Sequence, residues 1–326
     1  MSNQLALKID VDTLRGTREG VPALLDALKL ARADATFLFS LGPDHTGRAL
    51  RRVFRRGMFD FARKVSRTSV IDHYGLRTLL YGTLLPGPDI GRRAGDVMRS
   101  VRDAGYEVGV HCYDHTTWQD YVSRRDEAWT RDQMLRAVHR FREVFGDKPK
   151  VHGAAGWQMN DTALELEQEL EFVYASDTRG TSPFVPLLPA HGSMPARRSA
   201  CPQLPTTLPT LDELIGVGTI TADNVHEELL ARTSALCTGH VFTLHAELEG
   251  MKLLPVFRRL IRGWYAQGYQ LVSMRTLYAQ LDIAALPGAR VESGSVPGRS
   301  GTLAVQGSAG PGSSLQGAAV PRPAPI

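Results

Sequence analysis

Three observations predict that this 326-residue chain is an α/β protein, with a parallel sheet curled into an irregular (β/α)7-type barrel. Seven short apolar runs with strand character alternate along the sequence with stretches of helical period. Helix-length intervals separate the runs, as parallel strands joined by crossover helices require. Ionisable residues recur at the C-terminal ends of the runs, the edge where α/β barrels gather their chemistry.

In chain order, strands are expected at 5–11, 36–39, 107–111, 150–153, 172–176, 241–245 and 270–274. Helices are expected at 21–33, 90–104, 130–145, 161–170, 223–234 and 253–267. The Pro-rich stretch 183–209 reads as a long loop. From 285 onward the chain is Gly, Pro, Ser and Ala with almost no large apolar residue, too little to offset its ordering entropy. The expected organisation is therefore a barrel over 1–284 and a disordered tail over 285–326, with a distinctive basic segment inside the barrel.

Hydrophobic residues make up 43% and charged residues 22%, values of a globular chain and not of a disordered or fibrous one. The three cysteines, Cys112, Cys201 and Cys237, form no CxxC pair, which argues against a disulfide framework and for a reducing compartment. The opening "MSNQLALKIDVDT" has neither a basic n-region nor an apolar h-region. No apolar run approaches the ~18 residues of a membrane span. A cytoplasmic location is expected.

In "LALKIDVDT", Leu5, Leu7, Ile9 and Val11 alternate with Ala6, Lys8, Asp10 and Asp12. Asp10 and Asp12 thus share a face, about 7 Å apart along the strand. A lone pair of acids at a strand end commonly caps the next turn. Here, however, His111 and His115 of "EVGVHCYDHTTW", Asp177 of "YASDTRG" and His245 of "HVFTLHAELEG" stand at or just past the ends of other strands. Six such residues on one barrel rim point to a shared site. Two histidines four apart are an ambiguous metal signal in themselves, and alternation turns Cys112 away from them into the core.

Charge is concentrated at 48–67, where eight cations (Arg48, Arg51, Arg52, Arg55, Arg56, Arg63, Lys64, Arg67) face one acid, Asp60. That local +7 sits in a chain of net +4. On a helical wheel Leu50, Val53, Phe54, Met58, Phe61 and Val65 make an apolar stripe opposite the arginines. Such a helix suits an anionic membrane surface, and Leu79, Leu80, Tyr81, Leu84 and Leu85 add apolar reach. No nucleic-acid module surrounds the segment, so nucleic acid is not an expected partner. Residues 48–85 are expected to dock on the membrane, with Arg51, Arg52, Phe54, Arg55, Arg56 and Phe61 in contact.

The motifs "IDVD", "HCYDH", "SDTR" and "TLH", in that order over residues 5 to about 280, resemble those of the polysaccharide deacetylases (carbohydrate esterase family 4). "KIDVDT", "GVHCYDH", "GAAGWQMN", "SDTRGTSPF", "LPTLDELIG" and "TLHAELEG" are similar to the branch that deformylates 4-deoxy-4-formamido-L-arabinose linked to phosphoundecaprenol. The resemblance implies a hydrolase of a linear amide bond, acting on a lipid-linked sugar at the inner face of the bacterial inner membrane. Its product amine would serve lipid A modification and resistance to polymyxin and other cationic peptides. Asp12, His111 and His115 would hold one divalent metal, a donor set that suits Zn²⁺, Co²⁺, Mn²⁺ or Fe²⁺. Asp10 would be the general base, His245 the general acid, and Asp177 the residue that orients His245.

The sequence departs from the family pattern at "GAAGWQ", which lacks the arginine that orients the base. Trp157 would keep an aromatic wall, and Arg179 could replace the missing guanidinium. Glu247 and Glu249 could hold sugar hydroxyls or the freed ammonium, and His191 could roof the site. Three other readings compete. A secreted chitin or peptidoglycan deacetylase would need a signal segment. A non-haem iron oxygenase also uses two histidines and one carboxylate, but on a jelly roll, and it leaves Asp10 and His245 without a role. A non-catalytic sugar-binding barrel would have no use for those two residues either.

Overall fold

All eight residues of the first strand, β1 (Gln4–Val11), are buried, because it runs up the middle of a curled parallel sheet. The computed structural model describes residues 3–49, 76–190, 195–235 and 239–309. The sheet adds β2 (Thr36–Ser40), β3 (Glu107–Cys112), β4 (Val151–His152) and β5 (Tyr174–Ala175) on one side of β1, and β8 (His240–His245) on the other. A last strand, β9 (Gln270–Val272), pairs with Gln4–Ala6 of β1. Helices α1 (Val21–Ala31), α2 (Ile90–Asp103), α4 (Glu127–Phe145), α5 (Asp161–Glu169), α6 (Val225–Ala235) and α7 (Leu254–Ala266) connect and cover the strands. Each expected strand and helix is present, with ends displaced by a few residues. The short α3 (His115–Tyr121) was not expected; Asp114 caps it by accepting the Thr117 N–H at 3.0 Å.

Alternation along β1 decides which residues reach the site. Leu5, Leu7, Ile9 and Val11 enter the main core with Leu24 and Leu28 of α1. Ala6 enters a smaller cluster with Leu38, Val151, Tyr174, Leu204 and Val241 inside the curl. Lys8, Asp10 and Asp12 continue that interior face. Burying the four outward aliphatic side chains contributes about 1.5–3 kcal/mol each. A one-residue slip would exchange them for a lysine and two carboxylates, so the register is firmly held. The interior is narrow: a Cβ on Gly153 would lie 2.3 Å from Leu38 Cδ1 and 3.2 Å from Lys8 Cε.

Two stretches differ from expectation. The Pro-rich segment 183–209 is a structural part of the fold. It forms β6 (Val185–Leu188) and β7 (Arg197–Arg198), and its end bridges β5 to β8. Leu204 N donates to Ala175 O at 2.8 Å, and Thr207 N donates to Val241 O at 3.1 Å, so this extended piece closes the gap in the curl. Prolines are compatible with this because the segment pairs at intervals and not through a continuous ladder.

The described part of the C-terminal segment is also ordered. β10 (Gly288–Gly294) and β11 (Leu303–Ala309) form an antiparallel hairpin, and β10 pairs parallel with β6. Composition missed it because backbone pairing holds it: Arg179 N donates to Ala304 O and Gln306 N to Arg179 O, at 2.9 and 2.7 Å. Few of its described side chains are buried, among them Ala289, Leu303 and Ala304. Residues 310–326 lie outside the described residues.

So does 50–75, and with it Arg51, Arg52, Phe54, Arg55, Arg56 and Phe61. After it, a short helix (Leu76–Leu80) leads into a turn where Leu84 is 81% exposed. Among the described residues, no helix is long and apolar enough to cross a membrane.

Candidate active site

Two strand ends and the start of a helix converge on one point. Asp12 follows β1, His111 lies near the end of β3, and His115 opens α3. Asp12 Oδ1 is 3.3 Å from His111 Nε2 and 3.5 Å from His115 Nε2. His111 Nδ1 lies 2.5 Å from the Gly153 carbonyl. Donating there fixes the tautomer, so Nε2 presents its lone pair toward Asp12. Burial opposes ionisation of Asp12, but His115, His111 and His245 outweigh it and hold the carboxyl well below the usual range.

A second cluster inverts this composition, with one histidine and two carboxylates. His152 Nδ1 lies 2.8 Å from Glu167 Oε1 and 3.0 Å from Asp177 Oδ1, all three buried. Unused lone pairs distinguish the two clusters. Asp177 Oδ1 also accepts the Ala154 N–H, Asp177 Oδ2 accepts from Gln203, and so does Glu167 Oε2. In the first cluster, Asp12 Oδ1 and the neighbouring Asp10 Oδ1 are buried without a hydrogen-bond partner. Buried anionic oxygens facing imidazole lone pairs suit a divalent cation, so the fit belongs to Asp12, His111 and His115. The other cluster is a structural network. Burial disfavours the His152 cation, but Asp177 and Glu167 raise its pKa to about 10. Burial and Asp177 push Glu167 upward.

Asp10 sits beside the triad on the same interior face. Its Oδ2 is 3.6 Å from Lys8 Nζ, a fully buried ammonium that also donates to Ser176 O at 2.7 Å. The cation beside Asp10 is therefore Lys8 and not Arg179. Arg179 is committed to Glu213 Oε1 at 2.5 Å and Leu208 O at 3.0 Å. The signal for Lys8 was its position two residues before Asp10 on one strand face.

His245, at the end of β8, is in register with Asp10 of β1. Burial lowers its pKa, but Asp212 first, then Asp12, Glu249 and Asp10, raise it overall. Asp177, expected to orient His245, is instead engaged with His152, Ala154 and Gln203; the carboxylate that acts on His245 is Asp212 of "LPTLDELIG". Asp212 is itself held down, to about 2: burial opposes this, and Arg299 and His245 drive it. It lies in a one-turn helix (Leu211–Leu214) between β7 and α6, so strand-end reasoning could not find it.

Glu247 and Glu249 are buried and hold the backbone of the site. Glu247 Oε1 accepts from Asp12 N, Thr13 N and Thr13 Oγ1 at 3.1, 2.8 and 2.8 Å. Glu249 Oε2 accepts the His245 N–H at 2.8 Å. Both are buried, which raises Glu247 to about 8, with Asp12 adding to the effect, and Glu249 to about 7. Trp157 is a wall, 2% exposed, with its ring edge-on to His245 at 6.4 Å. Lys8, Arg179 and Arg299 all lie over it, at 5.5, 5.2 and 4.5 Å from its centroid. His191 lies outside the described residues, and Cys112 packs in the core.

The polysaccharide deacetylase family model matches residues 4–175. A Shewanella sediminis protein named "probable 4-deoxy-4-formamido-L-arabinose-phosphoundecaprenol deformylase" is 34% identical, over 94% of this chain and 95% of its own length. Two crystal structures share the fold at 18% identity. A Mycobacterium smegmatis protein named as a polysaccharide deacetylase superposes with a TM-score of 0.60 over 90% of this chain and 94% of its own. A PuuE allantoinase superposes with a TM-score of 0.55 over 85% and 89%.

Proposed function

The chain belongs to the polysaccharide deacetylase family, as a hydrolase of a C–N amide bond, and we propose that it deformylates 4-deoxy-4-formamido-L-arabinose carried on undecaprenyl phosphate. One observation carries this reading: a cation-ready triad stands beside Asp10 and His245, in a chain related end to end to a formamido-sugar deformylase.

A divalent cation held by Asp12, His111 and His115 would supply Lewis acidity, polarising the formamide carbonyl and making water nucleophilic near neutral pH. Asp10 takes the proton of the attacking water through its unpartnered Oδ1, while Lys8 stands at its Oδ2. His245 donates a proton to the departing nitrogen; the carboxylates around it favour its charged form. Water is consumed, and the products are formate and the 4-amino sugar, the form destined for lipid A and so for resistance to cationic peptides.

The substrate's lipid anchor requires work at a membrane. We place that contact at 48–85, through its arginines and the exposed Leu84 and Leu85, on the cytoplasmic leaflet. Formate release from the lipid-linked formamido sugar, with the N-acetyl analogue as control, tests the activity. Release from the acetyl compound alone would refute the formyl assignment. Flotation with anionic but not neutral vesicles tests the docking.

A further inference from the structure

The turn joining β10 to β11 carries an arginine into the active site. Gly298 and Gly301 both adopt φ of +84°, and a Cβ on Gly298 would lie 2.3 Å from Glu213 O, so the turn presses against the 210–213 segment. Arg299 Nε donates to Glu213 Oε1 at 2.8 Å, Nη2 lies 3.4 Å from Asp212 Oδ2, and the guanidinium covers Trp157. Thr210 Oγ1 donates to the other Asp212 oxygen at 2.6 Å. Asp212 is therefore held from both sides. His245 Nδ1 is buried and has no hydrogen-bond partner among the described residues. Its ring is controlled by neighbouring charge and by the edge-on contact with Trp157. Arg299 touches both of these controls.

We propose that Arg299 is a positioning residue for the catalytic acid: the C-terminal hairpin completes the active site by fixing Asp212 and Trp157 around His245. The assignment of His245 as the acid rests on the function proposed above. Arg179 anchors the same Glu213 from the barrel side, so the hairpin locks onto an arrangement already present in the barrel. Two features distinguish this role from packing alone. Asp212 must mediate most of the effect, and a lysine at 299, which can reach Asp212 but cannot bridge to Glu213 in the same plane, must restore part of it.

The test uses the full-length, zinc-loaded protein with R299A, R299K, D212N and R299A/D212N. R299A is expected to lower kcat by about tenfold or more, within the range of a general acid's contribution, with KM within about twofold and zinc content unchanged. R299K should recover part of kcat, and R299A should cost little further in the D212N background. Independently of turnover, the ¹⁵N signals of the His245 ring at fixed pH should move in R299A and D212N and move less in R299K. Unchanged His245 signals in R299A, or fully additive losses in the double variant, would overturn the proposal. If R299A fails to fold, R299K decides the matter: wild-type kcat together with wild-type His245 signals would overturn it. If the wild type releases no formate, the proposed substrate is wrong, and the ring signals still decide the role of Arg299.

Discussion

Glu247 offers a quantitative test of how the site is held. Its Oε1 accepts three hydrogen bonds from the loop that carries Asp12, while Oε2 is buried without a partner. Truncation to alanine strands three buried donors at about 1–3 kcal/mol each. Allowing for partial relaxation, Glu247→Ala should cost about 3–6 kcal/mol, a large part of a domain's ~5–15 kcal/mol stability. Glu247→Gln keeps one acceptor oxygen and mimics the neutral acid. Because the folded carboxyl titrates at about 8, above its ordinary 4.5, the folded chain holds a proton that the unfolded chain releases. Wild-type stability from this group is therefore fully present below pH 4.5 and is lost as pH rises toward 8. Glutamine has no such slope. The advantage of Glu247→Gln over wild type in the metal-free protein should grow by about 1.4 kcal/mol per pH unit, roughly 4 kcal/mol between pH 5 and pH 8. Urea unfolding of the metal-free wild type, Ala and Gln variants at pH 5, 6.5 and 8 measures this. Equal destabilisation by Gln and Ala, or a pH-independent difference between Gln and wild type, would refute the reasoning.

Three further outcomes follow from the same geometry. His115→Ala should weaken divalent-metal affinity by more than about 100-fold, since it removes a ligand and not merely a ligand's support; metal content after dialysis and loss of metal-dependent thermal stabilisation check this. Lys8→Met should retain metal but lower kcat by about tenfold or more, because Asp10 loses its neighbouring cation; wild-type kcat would show that Lys8 only fills the interior. Asp177→Asn should destabilise folding by about 3–5 kcal/mol by breaking the buried His152 network while leaving metal content intact. A loss of kcat without a loss of stability would return Asp177 to the environment of His245.

The first strand was legible because its constraint is local. Alternation in "LALKIDVDT" separates the core-facing aliphatics from Lys8, Asp10 and Asp12 wherever the strand is placed, and the burial of Leu5, Leu7, Ile9 and Val11 then fixes the face. The same logic brought His111, His115 and His245 to the same rim. Roles that depend on which charges come close in space were not legible. Asp177 follows a strand while Asp212 sits in a one-turn helix far from any strand end, and only the packing shows that Asp177 meets His152 while Asp212 acts on His245. Glu247 and Glu249 were polar residues in a motif. Their burial and their backbone partners, which make them supports of the site, come from the packing.

By itself the sequence determined the strand and helix periods, the interior face of β1 and the rim on which the ionisable residues gather, because those follow from side-chain direction and apolar burial within single elements. Tertiary structure alone decided three things: that Arg179 turns to Glu213 and leaves Lys8 as the cation beside Asp10, that the Pro-rich segment closes the curl, and that a Gly- and Ser-rich hairpin brings Arg299 to Glu213 and Asp212. The reason is common to all three. Each rests on backbone hydrogen bonds and charge proximities between segments far apart in the chain, and neither periodicity nor composition records those.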